Sequence, residues 1–178
     1  THNVKIIYNK SSFCLCHIRR CVILPNMIHF DDVDKAILSQ LQEDSRIPYA
    51  ELASKVGLSV GAVHERVKKL ERKGVIKRYR VDVDPEAIGL KLTAFVAVQL
   101  ESNSTCRTLL PEFQTFPEIE EVHSVAGEID VILKVHTSDT KTLEDLLYRI
   151  KTIKGISRMT TRVVLSTELE GRPLEAGS

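Results

Sequence analysis

The sequence contains no apolar run long enough to cross a membrane, and its four cysteines are too unevenly placed to form a disulfide framework. A transmembrane helix needs roughly 18 uninterrupted apolar residues, and the first candidate, FCLCHIRRCVIL, is interrupted by Arg19 and Arg20. Three of the cysteines lie within the first 21 residues, which is not the spread of bridges through a core. We therefore expect a protein of the reducing cytoplasm that is neither exported nor inserted in a membrane.

The sequence also lacks the signatures of common catalytic and metal sites. Its histidines are scattered, no nucleophile, base and orienting group form a recognisable set, and no glycine-rich phosphate loop occurs. The segment CLCHIRRC offers Cys14, Cys16, His17 and Cys21, but this spacing fits no closed zinc site and no second ligand pair follows. The sequence therefore predicts a protein that is not an enzyme and holds no metal or tightly bound cofactor.

The first 26 residues differ in character from the rest of the chain. They show no helical or strand period and contain no acidic residue, and the first methionine, Met27, directly precedes a helical pattern. We interpret residues 1–26 as an N-terminal extension outside the fold, and residues 171–178 as a C-terminal tail.

Positive charge is concentrated in one segment of a chain whose formal net charge is only +1. Residues 54–80 contain nine basic and two acidic residues, whereas residues 81–178 contain ten basic and sixteen acidic ones. A solvated helix usually mixes both signs, so seven uncompensated positive charges indicate a polyanionic partner for this segment alone.

Residues 27–80 carry the pattern of three short helices. Asp31 can cap the first, Gly57 stops the second, and Ser59 can cap the third, which is predicted over residues 60–73. Two helices joined by a tight glycine turn form a helix-turn-helix, whose last helix enters the major groove of duplex DNA. The predicted buried stripe of the third helix consists of Val60, Val63, Val67 and Leu70.

With that stripe inward, the remaining side chains of the third helix are predicted to face DNA. Small residues in its first turn allow close approach, whereas His64, Glu65 and Arg66 are long enough to read base edges. For Glu65, an ion pair with Lys68 or Lys69 is preferred over a contact with cytosine. Basic residues further along are placed to meet phosphates. The predicted DNA-binding residues are Ser59, Gly61, Ala62, His64, Glu65, Arg66, Lys69, Lys73, Lys77 and Arg78.

The second half of the chain changes period. The alternation of Val81 and Val83 predicts a short wing or linker strand within residues 81–91. Residues 92–170 then predict a βαββαβ unit, an α+β arrangement in which four antiparallel strands carry two helices on one face. In a domain of about 80 residues the other face is commonly covered by a second subunit. The predicted strands are 92–101, 119–126, 130–137 and 156–167, and the predicted helices are 107–116 and 141–153.

The stretch from DDVDKAILSQL to RKGVIKRY resembles the helix-turn-helix of the Lrp/AsnC family, the leucine-responsive or feast/famine regulators. The βαββαβ remainder resembles the ligand-sensing domain of that family, so the likeness spans about residues 31–169. It implies a ferredoxin-like sensing domain and a transcription regulator that dimerises through its sheet domains. It also implies further assembly, often to octamers, and amino acids bound between dimers.

The resemblance also implies an effector site. The Gly-x-x-Asp pattern of the family is matched by Gly127 and Asp130 in VAGEIDVIL. Exposed loop amides and a carboxylate could bind the charged groups of a free amino acid, although the same residues could merely form a tight hairpin capped by Asp130. Ile129 stands beside Glu128 where relatives place an aromatic residue, so the preferred amino acid is left open. The residues implied for effector binding are Ser124, Gly127, Glu128, Asp130, Thr160 and Thr161.

Two other functions stay open at this point. Sirohaem decarboxylases resemble the same two-domain arrangement and would need histidine or arginine at a tetrapyrrole pocket, for which His123 or His136 could serve. An enzyme of this kind has no need for a segment of charge +7. The other alternative is an architectural DNA-coating protein that binds no effector, and it would share the basic helix.

Overall fold

The computed structural model describes residues 30–175, which form two compact units. The first comprises residues 30–77 together with 173–175, and the second comprises residues 78–172. Cys14, Cys16, His17 and Cys21 of the CLCHIRRC segment lie outside the described residues, as does the extension 1–26. No helix within residues 30–175 combines the length and apolar character needed to cross a membrane.

Three helices with sequence-encoded ends form the first unit. Helix α1 (Asp32–Glu43) begins at Asp31, whose carboxylate accepts the backbone N–H of Asp34 at 2.7 Å. Helix α2 (Tyr49–Val56) ends at Gly57, whose φ of 69° is left-handed and favours glycine. Helix α3 (Val60–Arg72) begins at Ser59, whose hydroxyl accepts the N–H of Ala62 at 3.3 Å. The structure thus confirms the three predicted helices.

The apolar faces of these helices form one core. Its fully buried members include Ile37 of α1, Leu52 of α2 and Val63, Val67 and Leu70 of α3. The prediction that Val60 belongs to the buried stripe of α3 was wrong, because this residue is 48% exposed. Val60 is the first residue of α3, and the buried residues of this helix begin three positions later, at Val63.

The second unit comprises β1 (Leu92–Leu100), α4 (Cys106–Phe113), β2 (Ile119–Ser124), β3 (Val131–Thr137), α5 (Thr140–Lys151) and β4 (Ile156–Val163). Its strands form one antiparallel sheet in the order β2-β3-β1-β4. Two helices pack on one face, so the predicted α+β class and βαββαβ order are confirmed. Helix α4 forms despite Pro111, and its first turn is capped by Thr105.

Alternate residues of the strands fill the core beneath α4 and α5. Val96 of β1 lies opposite Leu133 of β3, and both are fully buried together with Phe113 and Leu146. The intervening residues, such as Phe95, therefore point to the face that carries no helix, which we call the open face.

The predicted linker strand within residues 81–91 was wrong. Within the described chain these residues form no strand, and a single 3₁₀ turn occurs at Glu86–Ile88. Val81 and Val83 are 69% and 57% exposed. A strand requires a neighbour to pair its backbone groups, and no segment within residues 30–175 supplies one to Val81 and Val83.

Candidate functional site

The most exposed side of α3 carries a line of residues opposite its buried stripe. Gly61, Glu65, Lys68 and Arg72 are all exposed, and their spacing of four, three and four places them on one side of the helix. We call these four residues the outer ridge. Lys68 and Arg72 were missing from the predicted set, although the same helical spacing from Gly61 could have identified both.

The other predicted DNA-binding residues are not part of the outer ridge, and they differ in their exposure to solvent. Ser59, Lys73 and Lys77 are exposed, whereas Ala62 and His64 are half-buried at the start of the helix. The ring of His64 lies 5.6 Å from that of Tyr49, measured between centroids. Arg78 is exposed and is the first residue of the second unit. The first unit therefore presents several cations beside a first turn of small side chains.

Arg66 has partners that the sequence analysis did not anticipate. Its Nη1 donates to Asp31 Oδ2 and to Asp34 Oδ1, both at 2.7 Å, and the Asp34 side chain is only 3% exposed. These two carboxylates raise the pKa of Arg66. The N–H of Asp34, and then Arg66, hold the pKa of Asp31 below its ordinary value. Arg66 thus links α3 to the start of α1.

The expected ion pair of Glu65 with Lys68 or Lys69 was wrong. No salt bridge joins these side chains among residues 30–175, and Lys69 Nζ instead lies 3.9 Å from Asp34 Oδ2. The buried carboxylate of Asp34 is the stronger attraction for Lys69, because solvent screens an exposed glutamate. Among residues 30–175, Glu65 is consequently a carboxylate of the outer ridge without a salt bridge.

A groove of about 340 Å³ lies in the second unit beside the loop between β2 and β3. Gly127 in this loop has a φ of 142°, a conformation that side chains disfavour. Of the predicted effector residues, only Glu128 lines the groove, together with its neighbour Ile129. The other walls were missed by the sequence analysis. They are Ala97, Gln99 and Arg158.

Strand register separates the remaining predicted effector residues. Thr160 lies opposite Ala97 and is exposed on the open face, whereas Thr161 lies opposite buried Val96 on the helix side. Ser124 lies opposite buried Val131, which also places it on the helix side of the sheet. Of these three residues, only Thr160 shares the face of the sheet that carries Ala97, Gln99 and Arg158, and it does not itself line the groove.

Asp130 has a structural role at the end of the loop. Its Oδ2 accepts the backbone N–H of Leu100 at 2.8 Å, and its own N–H donates to the carbonyl of Val98 at 3.0 Å. Its carbonyl accepts the N–H of Val125. These bonds hold the loop against β1, so Asp130 does more than cap its own hairpin.

The two histidines considered for a tetrapyrrole site differ in surroundings. His136 is 9% exposed, and its ring nitrogens lie 3.0 Å from Thr93 Oγ1 and 2.8 Å from Glu120 Oε2. His136, and then Lys134, hold the pKa of Glu120 below its ordinary value. His123 is exposed beside Glu121, at 2.6 Å. Both ring nitrogens of His136 are therefore occupied within the chain.

Two family models together match almost all the described residues. A winged helix-turn-helix DNA-binding model matches residues 30–77, and an Lrp/AsnC ligand binding domain model matches residues 93–174. The transcriptional regulator FL11 of Pyrococcus horikoshii is 33% identical over 143 residues, covering 80% of this chain and 94% of FL11. LrpA of Mycobacterium tuberculosis is 38% identical over 137 residues, covering 77% of this chain and 91% of LrpA.

A solved structure agrees with these matches. The feast or famine regulatory protein from M. tuberculosis, complexed with L-methionine, superposes with a TM-score of 0.77 at 36% identity. The match covers 83% of this chain and 100% of that one. A helix-turn-helix unit with a basic face, followed by an antiparallel α+β unit, defines a DNA-binding transcriptional regulator with a ligand-binding domain. The chain belongs to the Lrp/AsnC family of transcriptional regulators.

Proposed function

We propose that this regulator binds duplex DNA through α3 in a sequence-specific manner, and that its assembly or operator affinity responds to an amino acid. The outer ridge is the observation that carries the DNA-binding part. It places Lys68 and Arg72 on the side of α3 opposite the core, on the same side as Gly61 in the first turn. A helix of this kind can enter the major groove without displacing any packed side chain.

The side chains of α3 and of the residues flanking it divide into four roles in this proposal. Ser59, Gly61 and Ala62 allow close approach, and His64 and Glu65 lie where base edges would be read. Arg66 fixes the orientation of α3 rather than reading a base, because its guanidinium already bonds to Asp31 and Asp34. The phosphate contacts are assigned to Lys68, Lys69, Arg72, Lys73, Lys77 and Arg78.

The effector part rests on the groove beside Gly127. Its volume of about 340 Å³ suits a small molecule, and Glu128 brings a carboxylate to one wall. The similar M. tuberculosis protein is complexed with L-methionine, which supports an amino acid as the class of effector here. Gly127 and Thr160 belong to the same site, whereas Asp130 shapes its loop.

We also propose that two copies pair through the open face. Phe95 is 40% exposed at its centre, and Leu165 beyond β4 is 97% exposed. Apolar surface of this kind is stabilised when a second subunit removes it from water. Light scattering across a range of concentrations tests this pairing and any further assembly to octamers. A purely monomeric protein would contradict the proposal.

Genomic footprinting with and without each of the twenty amino acids tests the whole proposal. We expect protection at a limited set of sites, and one amino acid, or a few related ones, should change it. Protection that is uniform across sequences and indifferent to every amino acid would instead identify an architectural DNA-coating protein. Purified protein that carries a tetrapyrrole and fails to retard duplex DNA would favour the decarboxylase alternative.

A further inference from the structure

The outer ridge of α3 contains one acid beside its cations. Glu65 is exposed, and its carboxylate forms no salt bridge or hydrogen bond among residues 30–175. Lys69, four positions further on, lies near the buried carboxylate of Asp34 instead. Lys68 also forms no ion pair within this part of the chain. The ridge therefore presents an anionic acceptor that the described residues do not use.

Gly61 lies one turn before Glu65 on the same ridge, and nothing within residues 30–175 requires a glycine there. Its backbone is helical, and a Cβ added to it would meet no atom of these residues within 4 Å. An alanine would thus fit, and it would favour the helix, because glycine loses more conformational freedom on folding. The missing side chain leaves open space beside Glu65 on the exposed side of α3.

We propose that Gly61 and Glu65 act together to read one base of the operator. The missing side chain of Gly61 lets α3 approach the floor of the major groove, where the Glu65 carboxylate accepts a hydrogen bond from the amino group of a cytosine. This inference rests on the proposed binding of DNA through α3 and assigns part of its specificity. Both residues lie in the first two turns of α3, and the N-terminal residues of a recognition helix are those that contact base edges.

The chemistry of the major groove selects cytosine for a carboxylate. A carboxylate only accepts hydrogen bonds, so an amino group attracts it and the acceptors of guanine and thymine repel it. Adenine also carries an amino group, but its N7 acceptor lies beside that group in the groove, whereas cytosine presents only its amino group. The phosphates repel Glu65 as well, because they carry the same sign of charge. A cytosine edge is therefore its most favourable partner on a duplex.

An ion pair with Lys68 within the helix is the other role open to Glu65. The two residues are three positions apart and both are exposed, and an exposed pair of this kind contributes little to stability. If this were the role of Glu65, its replacement would not change which base is preferred. The two roles therefore differ in what they predict for DNA selection.

Selection from a library of random duplexes, with the full chain, tests the assignment. Glu65→Gln should move the preference at one position from cytosine to adenine, because a glutamine amide donates to N7 of adenine and accepts from its amino group. Glu65→Ala should lose the preference at that position. Glu43→Gln is the charge-matched control, since Glu43 is an exposed glutamate at the end of α1, and it should select the same sites as the wild type.

A chemical change in the DNA tests the contact without altering the protein. In the selected duplex, the cytosine is replaced by 2-pyrimidinone, which is cytosine without its amino group. The wild type should lose about tenfold in affinity, the size of effect expected for one mismatched base. Glu65→Ala should bind both duplexes equally well.

Two variants test the role of Gly61. Gly61→Leu should weaken binding to selected and random duplexes alike, because its side chain would occupy the space needed for close approach. Its melting temperature should not fall below that of the wild type, since the position is open and leucine favours a helix. Gly61→Ala should likewise keep or raise the melting temperature, with a smaller loss of affinity.

The outcomes separate this inference from the function on which it rests. If the wild type selects a site in which no cytosine depends on Glu65, or if the 2-pyrimidinone duplex weakens wild type and Glu65→Ala equally, the assignment of Glu65 is overturned while sequence-specific binding stands. If Gly61→Leu binds as the wild type does, the role of Gly61 is overturned. If the wild type selects no sequence from the library, both this inference and the sequence-specific binding proposed for α3 fail.

Discussion

Replacing Arg66 with alanine should destabilise the DNA-binding unit rather than remove a DNA contact. The change leaves the Asp34 carboxylate, 3% exposed, without its 2.7 Å partner, and only Lys69 Nζ remains near it, at 3.9 Å. Loss of one partner from a fully buried ion pair costs roughly 3–5 kcal/mol. Because Arg66 is itself 29% exposed and Lys69 stays close, we expect a loss of about 2 kcal/mol in the free energy of unfolding.

Urea unfolding measures this loss, and Arg72→Ala is its matched control. Arg72 is an exposed arginine on the same helix that forms no ion pair within residues 30–175. Its removal should change stability by no more than about 0.5 kcal/mol. On random duplex DNA, Arg72→Ala should lower the slope of log affinity against log salt by about one unit, whereas Arg66→Ala should leave that slope unchanged.

A double-mutant cycle isolates the contact itself. If the destabilisation by Arg66→Ala comes from Asp34, it should shrink when Asp34 is already alanine. An Arg66→Ala variant that keeps the stability of the wild type and loses affinity only for the specific operator would contradict this role of Arg66. That result would show that Arg66 leaves the two carboxylates and reads a base.

Three further predictions concern other parts of the chain. Gly127→Val should abolish the amino-acid response without preventing dimer formation, because valine disfavours a φ of 142°; an unchanged titration would exclude this loop. Asp31 has a pKa held below its ordinary value of 3.8, so its stabilisation is full above that pH and is lost as the pH falls through the lower folded value. The difference in melting temperature between wild type and Asp31→Asn should therefore be present at pH 7 and vanish in acid; a difference independent of pH would contradict it. Phe113→Ala, at a fully buried position, should cost roughly 3–5 kcal/mol in urea unfolding, and a loss below 1 kcal/mol would mean that α4 does not seal the core.

Most of the fold was predictable because its signals are local. Asp31 and Ser59 cap helices through bonds to residues three positions away, and Gly57 ends α2 through its own backbone conformation. The alternation in β1 likewise reports which residues face the core. Such patterns need no knowledge of distant parts of the chain.

The role of Arg66 depended on a contact across 32 residues and could not be read from α3 alone. The helical spacing of α3 places Arg66 beside the core, but it does not show whether the long side chain turns toward α1 or toward solvent. A signal was nevertheless present in α1, where Asp34 shares a face with Ile37 and Leu41. A carboxylate within an apolar stripe requires a buried partner, and an arginine on a neighbouring helix is the natural candidate.

The residues that line the groove of the second unit were likewise only partly predictable from the sequence. Strand alternation alone shows that Thr160 and Thr161 face opposite sides, so the sequence could have reduced these candidates to one. The pairing of Arg158 with Gln99 was beyond that pattern, because it depends on the register between β1 and β4, including the irregularity at Gln99 and Leu100.

The prediction of a strand at residues 81–91 failed because alternation indicates a half-buried face but does not indicate a pairing segment. Alternation of the kind seen at Val81 and Val83 is typical of a half-buried strand. A strand, however, also requires a neighbouring segment with which its backbone forms hydrogen bonds. Within residues 30–175 that neighbour is absent, and both valines are exposed. Leu165 shows the same mismatch beyond the end of β4, where the predicted strand continued to residue 167. In both places apolar residues alternate, but no strand among residues 30–175 pairs with them, and alternation alone does not make a strand.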